Sequence, residues 1–103
     1  MKLFLAVGVS ALLFSSSTFA NDELELAKKS GCMACHSLDK KVVGPAWKDV
    51  AAKYKGNAGA EEMLINKVKN GGKGVWGPTP MPPYSPRVSD ANIKKLVDYV
   101  LSL

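Results

Sequence analysis

Gly31-Cys32-Met33-Ala34-Cys35-His36 is the stretch on which the reading of this chain turns. It sets two thiols two residues apart and an imidazole directly behind the second. A thioredoxin-like pair would need a βαβ context, and no alternating strand pattern surrounds it. A structural zinc site needs four ligands, but the chain has two cysteines and one histidine in all. A disulfide across two intervening residues would staple almost nothing. The pentapeptide Cys32 to His36 is the attachment signal for a c-type haem. Cys32 and Cys35 match the separation of the two vinyl groups, and His36 falls where its imidazole can meet the iron from one face.

Upstream, Met1-Lys2 supplies a positive start and Leu3 to Phe14 an apolar run broken only by Gly8 and Ser10. Ser15 to Thr18 is polar, and Thr18-Phe19-Ala20 puts small residues one and three positions before a cut after Ala20. This is the layout of a secretory signal peptide. A membrane span needs about 20 apolar residues, and the serines end this run early. Residues 1–20 therefore read as a cleaved leader and residues 21–103 as one exported domain, placed in the periplasm, with no membrane span in the mature chain.

Composition narrows the classes. The chain has 103 residues, a net charge of +5 and 47% hydrophobic residues, which is ordinary for a globular protein and unlike a disordered tail. Its lysines are spread out, whereas a nucleic-acid binder shows a dense basic patch interleaved with aromatics. Nucleic acid is thus excluded as a partner, and the charge reads as a guide to proteins. A domain this small rarely draws more than about 3–5 kcal/mol from its own core, so a staple is expected, and the haem is the candidate.

Four segments carry helical signals. Asn21 can cap a first helix with acidic residues in its first turn, Lys28 and Lys29 in its last, and Gly31 as its stop. Trp47, Val50, Ala51 and Tyr54 share one helical face, closed by Lys55-Gly56-Asn57. A third helix spans about Ala60 to Asn70. The fourth, capped by Ser89 or Asp90, repeats Ile93, Leu96, Val97, Val100 and Leu101 at helical spacing. No run alternates with period two, so the fold class is all-α: about four helices wrapped around a covalently bound haem. Between the last two helices, Gly71 to Val88 holds four glycines and five prolines, a long irregular loop of the kind that is functional or disordered. Gly71-Gly72-Lys73-Gly74 lacks the spacing of a phosphate loop and is punctuation after a helix.

The iron's second face is assigned by elimination. His36 is the only histidine and both cysteines are consumed. Met1 leaves with the leader, Met33 lies inside the attachment loop, and Met63 reads as helix filler. Met81, held between Pro80 and Pro82-Pro83, remains; flanking prolines lower the entropic cost of presenting its side chain. A His36/Met81 iron is fully coordinated and suits one-electron transfer, not catalysis. The alternative is a haem enzyme or gas sensor in which Met81 is displaced.

The chain resembles the small bacterial class I cytochromes c of the periplasmic c-551/c-552 type. The resemblance rests on Gly31–His36, Lys41–Tyr54 (KVVGPAWKDVAAKY), Lys69–Pro83 (KNGGKGVWGPTPMPP) and the last helix after Val88–Asp90. It implies one covalent haem c, with Cys32 and Cys35 as thioethers and His36 and Met81 as axial ligands. It also implies that the Pro45 carbonyl accepts a hydrogen bond from the proximal imidazole and that the Trp76 indole N–H bonds a haem propionate; the plainer reading of Trp76 is core filler. The implied role is a monomeric electron shuttle between respiratory complexes and acceptors such as nitrite reductase, cytochrome peroxidase or a terminal oxidase. Redox partners would dock at the exposed haem edge, near Val42, Val43 and Lys28, Lys29, Lys40 and Lys41. The chain departs from the family at Tyr84-Ser85-Pro86-Arg87, where an asparagine commonly follows the paired prolines, at Trp47 in place of a tyrosine, and at Lys67 in place of an arginine.

Overall fold

The computed structural model describes Gly8 and residues 19–103. The expected leader, residues 1–20, lies outside the described residues except at Gly8, Phe19 and Ala20. Four helices follow in order: α1 (Phe19–Ser30), α2 (Trp47–Tyr54), α3 (Ala60–Asn70) and α4 (Asp90–Ser102), with a 3-10 turn at Cys32–Ala34 directly after α1. Between α3 and α4 stand two short strands, β1 (Gly72–Gly74) and β2 (Gly77–Met81), paired antiparallel with Gly72 opposite Met81 and Gly74 opposite Gly77.

The helical class stands, and the hairpin is its one addition. The sequence gives no warning of it because neither strand buries a face, so nothing imposes a period of two. Gly72, Gly74 and Gly77 all take positive φ, which a side chain disfavours. Pro78 and Pro80 lie in β2, where a two-stranded ribbon leaves an edge that can lack donors. The start of α1 also differs from expectation. The helix runs back through Ala20 and Phe19, so Asn21 lies inside it and is no cap. Its end behaves as read: Gly31 takes φ 89 and donates to the Lys28 carbonyl.

α4 packs against α1, α2 and α3. Its start is fixed by Ser89, whose Oγ accepts from the Asn92 N–H at 3.2 Å. The face read from the sequence is the buried one: Ile93, Leu96, Val97 and Val100 are core residues, and Tyr99 joins them. Facing them are Ala27 of α1 and Trp47 and Val50 of α2. Lys94 ties α4 to α3 by pairing with Glu61, while also meeting Asp98 one turn along.

Among the described residues, Ile93 is the one large side chain fully removed from solvent. Ile93→Ala is expected to cost about 2–5 kcal/mol of stability, whereas Lys95→Ala on the far side of α4 should stay within about 0.5 kcal/mol. Denaturant unfolding of the intact, cofactor-loaded protein checks both.

Candidate functional site

The site begins where α1 stops. Once Gly31 has turned the chain, the Cys35 and His36 amides both return to the Cys32 carbonyl, at 3.2 and 3.0 Å. The chain then runs out to Lys41, which bridges back to His36. The Val43 and Gly44 amides share the Cys35 carbonyl at 3.1 and 2.7 Å. This brings Gly44 flat against the imidazole. A Cβ placed on Gly44 would stand 2.5 Å from His36 Cε1 and 2.9 Å from Nδ1, a spacing no side chain tolerates.

The next residue completes the arrangement. His36 Nδ1 lies 2.8 Å from the Pro45 carbonyl oxygen. A carbonyl oxygen can only accept, so Nδ1 carries the proton and donates, and in the neutral imidazole Nε2 is left with its lone pair. The buried Trp47 ring flanks His36 at 5.8 Å between centroids and meets Tyr99 edge-on at 6.1 Å. The orientation of one imidazole is thus tied to the start of α2 and, through Tyr99, to α4.

A mainly apolar cleft opens beside this imidazole. Val50 and Tyr54 of α2, Leu64 and Val68 of α3, and Leu96, Val97 and Val100 of α4 form its walls. Cys32, Cys35, His36, Pro45, Trp76 and Met81, the six residues singled out from the sequence, all line it. Both thiols are free. Burial pushes the Cys32 thiol up, against a smaller opposing pull from a backbone hydrogen bond and the Arg87 charge.

Met81 stands half-buried at the end of β2, packed against the core cluster. Its backbone is crowded by Gly71, where an added Cβ would collide with the Met81 carbonyl and lie 2.9 Å from Pro83 N. Met63 also lines the cleft but is more exposed, at 41%; Met33 is absent from the lining. Trp76 sits in the turn between the strands with 41% of its surface exposed. The Lys53 ammonium lies 5.8 Å from its ring and equally far from that of Tyr54. Lys67 and Lys73 are the cationic residues of the lining.

Sequence reasoning missed four positions that shape the site. Gly44 and Gly71 work through close approach of distant backbone, for which no local signal exists. Tyr99 lies off the apolar repeat of α4, and Tyr84 is marked only by its departure from a family pattern.

The family model described as "Cytochrome c" matches residues 24–103. Cytochrome c-552 of Hydrogenobacter thermophilus is 52% identical over 103 residues, covering 100% of this chain and 99% of that protein. Cytochrome c-551 of Pseudomonas aeruginosa is 49% identical over 98 residues, covering 95% and 92%. Among solved structures, wild-type cytochrome c552 of Nitrosomonas europaea superposes with a TM-score of 0.73 at 52% identity, covering 77% of this chain and 96% of that one.

Gly44→Ala should force the imidazole and the 42–45 segment apart. The expected result is a shifted His36 Nδ1–H resonance in nitrogen-resolved NMR of the intact protein, together with about 1–3 kcal/mol of lost stability.

Proposed function

Because the chain belongs to the cytochrome c family and its cofactor is a covalently attached haem c, we propose that it is a one-electron carrier whose iron is held between His36 and Met81. The observation that carries this reading is the environment of His36: Nδ1 is committed to Pro45, Nε2 is free, and the ring opens on a cleft that Met81 also lines. The donor set suits the group. Two free thiols follow the attachment spacing, the walls are apolar, and a thioether and an imidazole border one cavity.

Reversible uptake of one electron is the chemistry the haem supplies when bound. Cys32 and Cys35 would hold it as thioethers. His36 would bind its iron through Nε2 and Met81 through its sulfur. The Pro45 carbonyl keeps the imidazole in one tautomer and adds to its basicity. Thioether ligation and apolar walls together favour the ferrous form and so raise the potential. Iron held by both His36 and Met81 would offer little room for a substrate, which favours a carrier over an enzyme. Trp76 at the hairpin turn would offer an indole N–H to a propionate, and Lys67 and Lys73 would offer compensating charge.

The carrier is further proposed to be a periplasmic monomer, exported by residues 1–20 and cut after Ala20; among the described residues no helix is long and apolar enough to cross a membrane. Its partners are redox proteins with acidic docking faces, the acceptors being of the nitrite reductase, cytochrome peroxidase or terminal oxidase kind. Val42 and Val43 are about half exposed, at 54% and 50%, and Val43 reaches the cleft lining. Lys40 and Lys41 are exposed beside them. Lys28, by contrast, is paired with Glu25 at 3.2 Å, which reduces its weight in steering.

The ferric protein should show the weak red absorption band of iron–sulfur ligation. Met81→Ala is expected to abolish that band and admit added cyanide or imidazole, while Met63→Ala leaves it intact. The bimolecular rate with an acidic redox partner should fall steeply as salt rises, and Lys40→Glu with Lys41→Glu should flatten that fall in stopped-flow measurements.

A further inference from the structure

Arg87 has no part in the ligand set. It is exposed and, among the described residues, forms no ion pair with a carboxylate. Its guanidinium carbon instead lies 4.8 Å from the centroid of the Tyr84 ring, well inside cation–π range. Tyr84 is buried, belongs to the core cluster and lines the cleft. Arg87 therefore rests on an aromatic wall of that cleft.

The same guanidinium also reaches the attachment segment. A Cβ built on Gly31 would lie 4.0 Å from a terminal nitrogen of Arg87, an ordinary contact distance, so the guanidinium sits directly beside this residue. Its charge is felt at the neighbouring Cys32. One side chain thus spans from the residue that opens the Cys32 turn to the residue three positions after Met81.

The backbone around Tyr84 shows what this contact completes. The Tyr84 and Ser85 amides donate to the Val68 and Lys69 carbonyls of α3, at 3.0 and 3.3 Å, and the Tyr84 carbonyl accepts from Val88 at 2.8 Å. Those bonds hold the segment after Met81 to α3. The Arg87–Tyr84 stack holds it toward Gly31 and Cys32. Pro82 and Pro83 restrict the only residues between Met81 and Tyr84, so a displacement at Tyr84 is transmitted to Met81.

We propose that Arg87 is a positioning residue that, stacked on Tyr84 and seated beside Gly31, clamps the segment following Met81 and slows the release of the Met81 sulfur from the haem iron. This rests on Met81 being the axial ligand. A planar, delocalised cation suits the stack better than an ammonium does. An exposed contact of this kind is worth about a two- to fivefold change in an opening equilibrium.

The test uses the full haem-loaded ferric protein and stopped-flow displacement of the methionine by imidazole, followed as loss of the red band. Arg87→Gln should speed displacement about two- to fivefold, with Arg87→Lys falling between it and the parent. Tyr84→Leu should speed it as much or more, and adding Arg87→Gln to Tyr84→Leu should bring no further increase. Amide hydrogen exchange at Tyr84 and Ser85 should accelerate by a matching factor in Arg87→Gln while the global unfolding midpoint holds. Displacement at the parent rate in Arg87→Gln, or full additivity in the double variant, would overturn the clamp alone. A parent protein with no red band would overturn the ligand reading and the clamp with it, a failure visible before any variant is made.

Discussion

The 2.8 Å contact between His36 Nδ1 and the Pro45 carbonyl settles tautomer and ring orientation together, and much of the site is arranged around it. It requires the 42–45 segment to lie directly against the imidazole, and that requires Gly44, since any Cβ there would overlap the ring. Pro45 brings a carbonyl without a competing N–H of its own. Two residues later the chain enters α2 with Trp47, which packs beside the same imidazole and against Tyr99. One hydrogen bond thereby links the attachment turn, the start of α2 and the middle of α4. An imidazole held this way has little freedom to rearrange, which is the property the proposed carrier role requires.

The packing ties the cofactor site to the fold. Val50, Leu96, Val97 and Val100 count among the buried core, yet the same four residues line the cleft. Ala27, Val88, Ile93 and Tyr99 pack behind them, away from the lining. The shared side chains present their remaining surface to the cleft, so a covalently attached haem would extend the core on that side. In a chain this short, burial of apolar surface scales poorly with size, and covalent attachment would keep the haem, a large apolar body, from being lost. Stability and redox function therefore draw on the same contacts.

The legible parts of the sequence are those with local causes. The Cys32–His36 pentapeptide carries its chemistry in its spacing. The buried face of α4 follows from Ile93, Leu96, Val97 and Val100 at helical intervals, because one continuous stripe meets one continuous core. Gly31 was legible as a helix stop because a left-handed residue is a local requirement. The hairpin was not, because its glycines and prolines bury no face and follow backbone demands instead of hydropathy. Asn21 misled because capping propensity says nothing about whether helix continues upstream. Gly44 and Gly71 are space left for another part of the chain, His36 in one case and the Met81–Pro83 backbone in the other, and that is a three-dimensional fact. The Tyr84 to Arg87 stretch could be recognised as unusual but not interpreted, since its meaning depends on Gly31, some fifty positions away.

The arrangement of charge adds a last constraint on how such a carrier meets its partners. Several lysines are already engaged: Lys28 with Glu25, Lys48 with Asp39, Lys69 with Asp90, and Lys94 with Glu61 and Asp98. Among the described residues, Lys40, Lys41, Lys67 and Lys73 have no such partner; Lys67 and Lys73 line the cleft, and Lys40 and Lys41 adjoin Val42 and Val43 beside it. Lys29, Lys53, Lys55 and Lys95 are also without carboxylate partners among the described residues, so the asymmetry is one of degree. Paired charges contribute little field at a distance, whereas unpaired ones act over about one Debye length, roughly 8 Å at physiological salt. Val42, Val43 and Val75, each at least half exposed, supply apolar surface near those cations. Electrostatic complementarity raises the rate of encounter more than it raises affinity, and a few valines give a contact at the small end of protein interfaces. Fast arrival and fast departure are what a protein that carries one electron at a time requires, because a partner that stays bound blocks the next transfer.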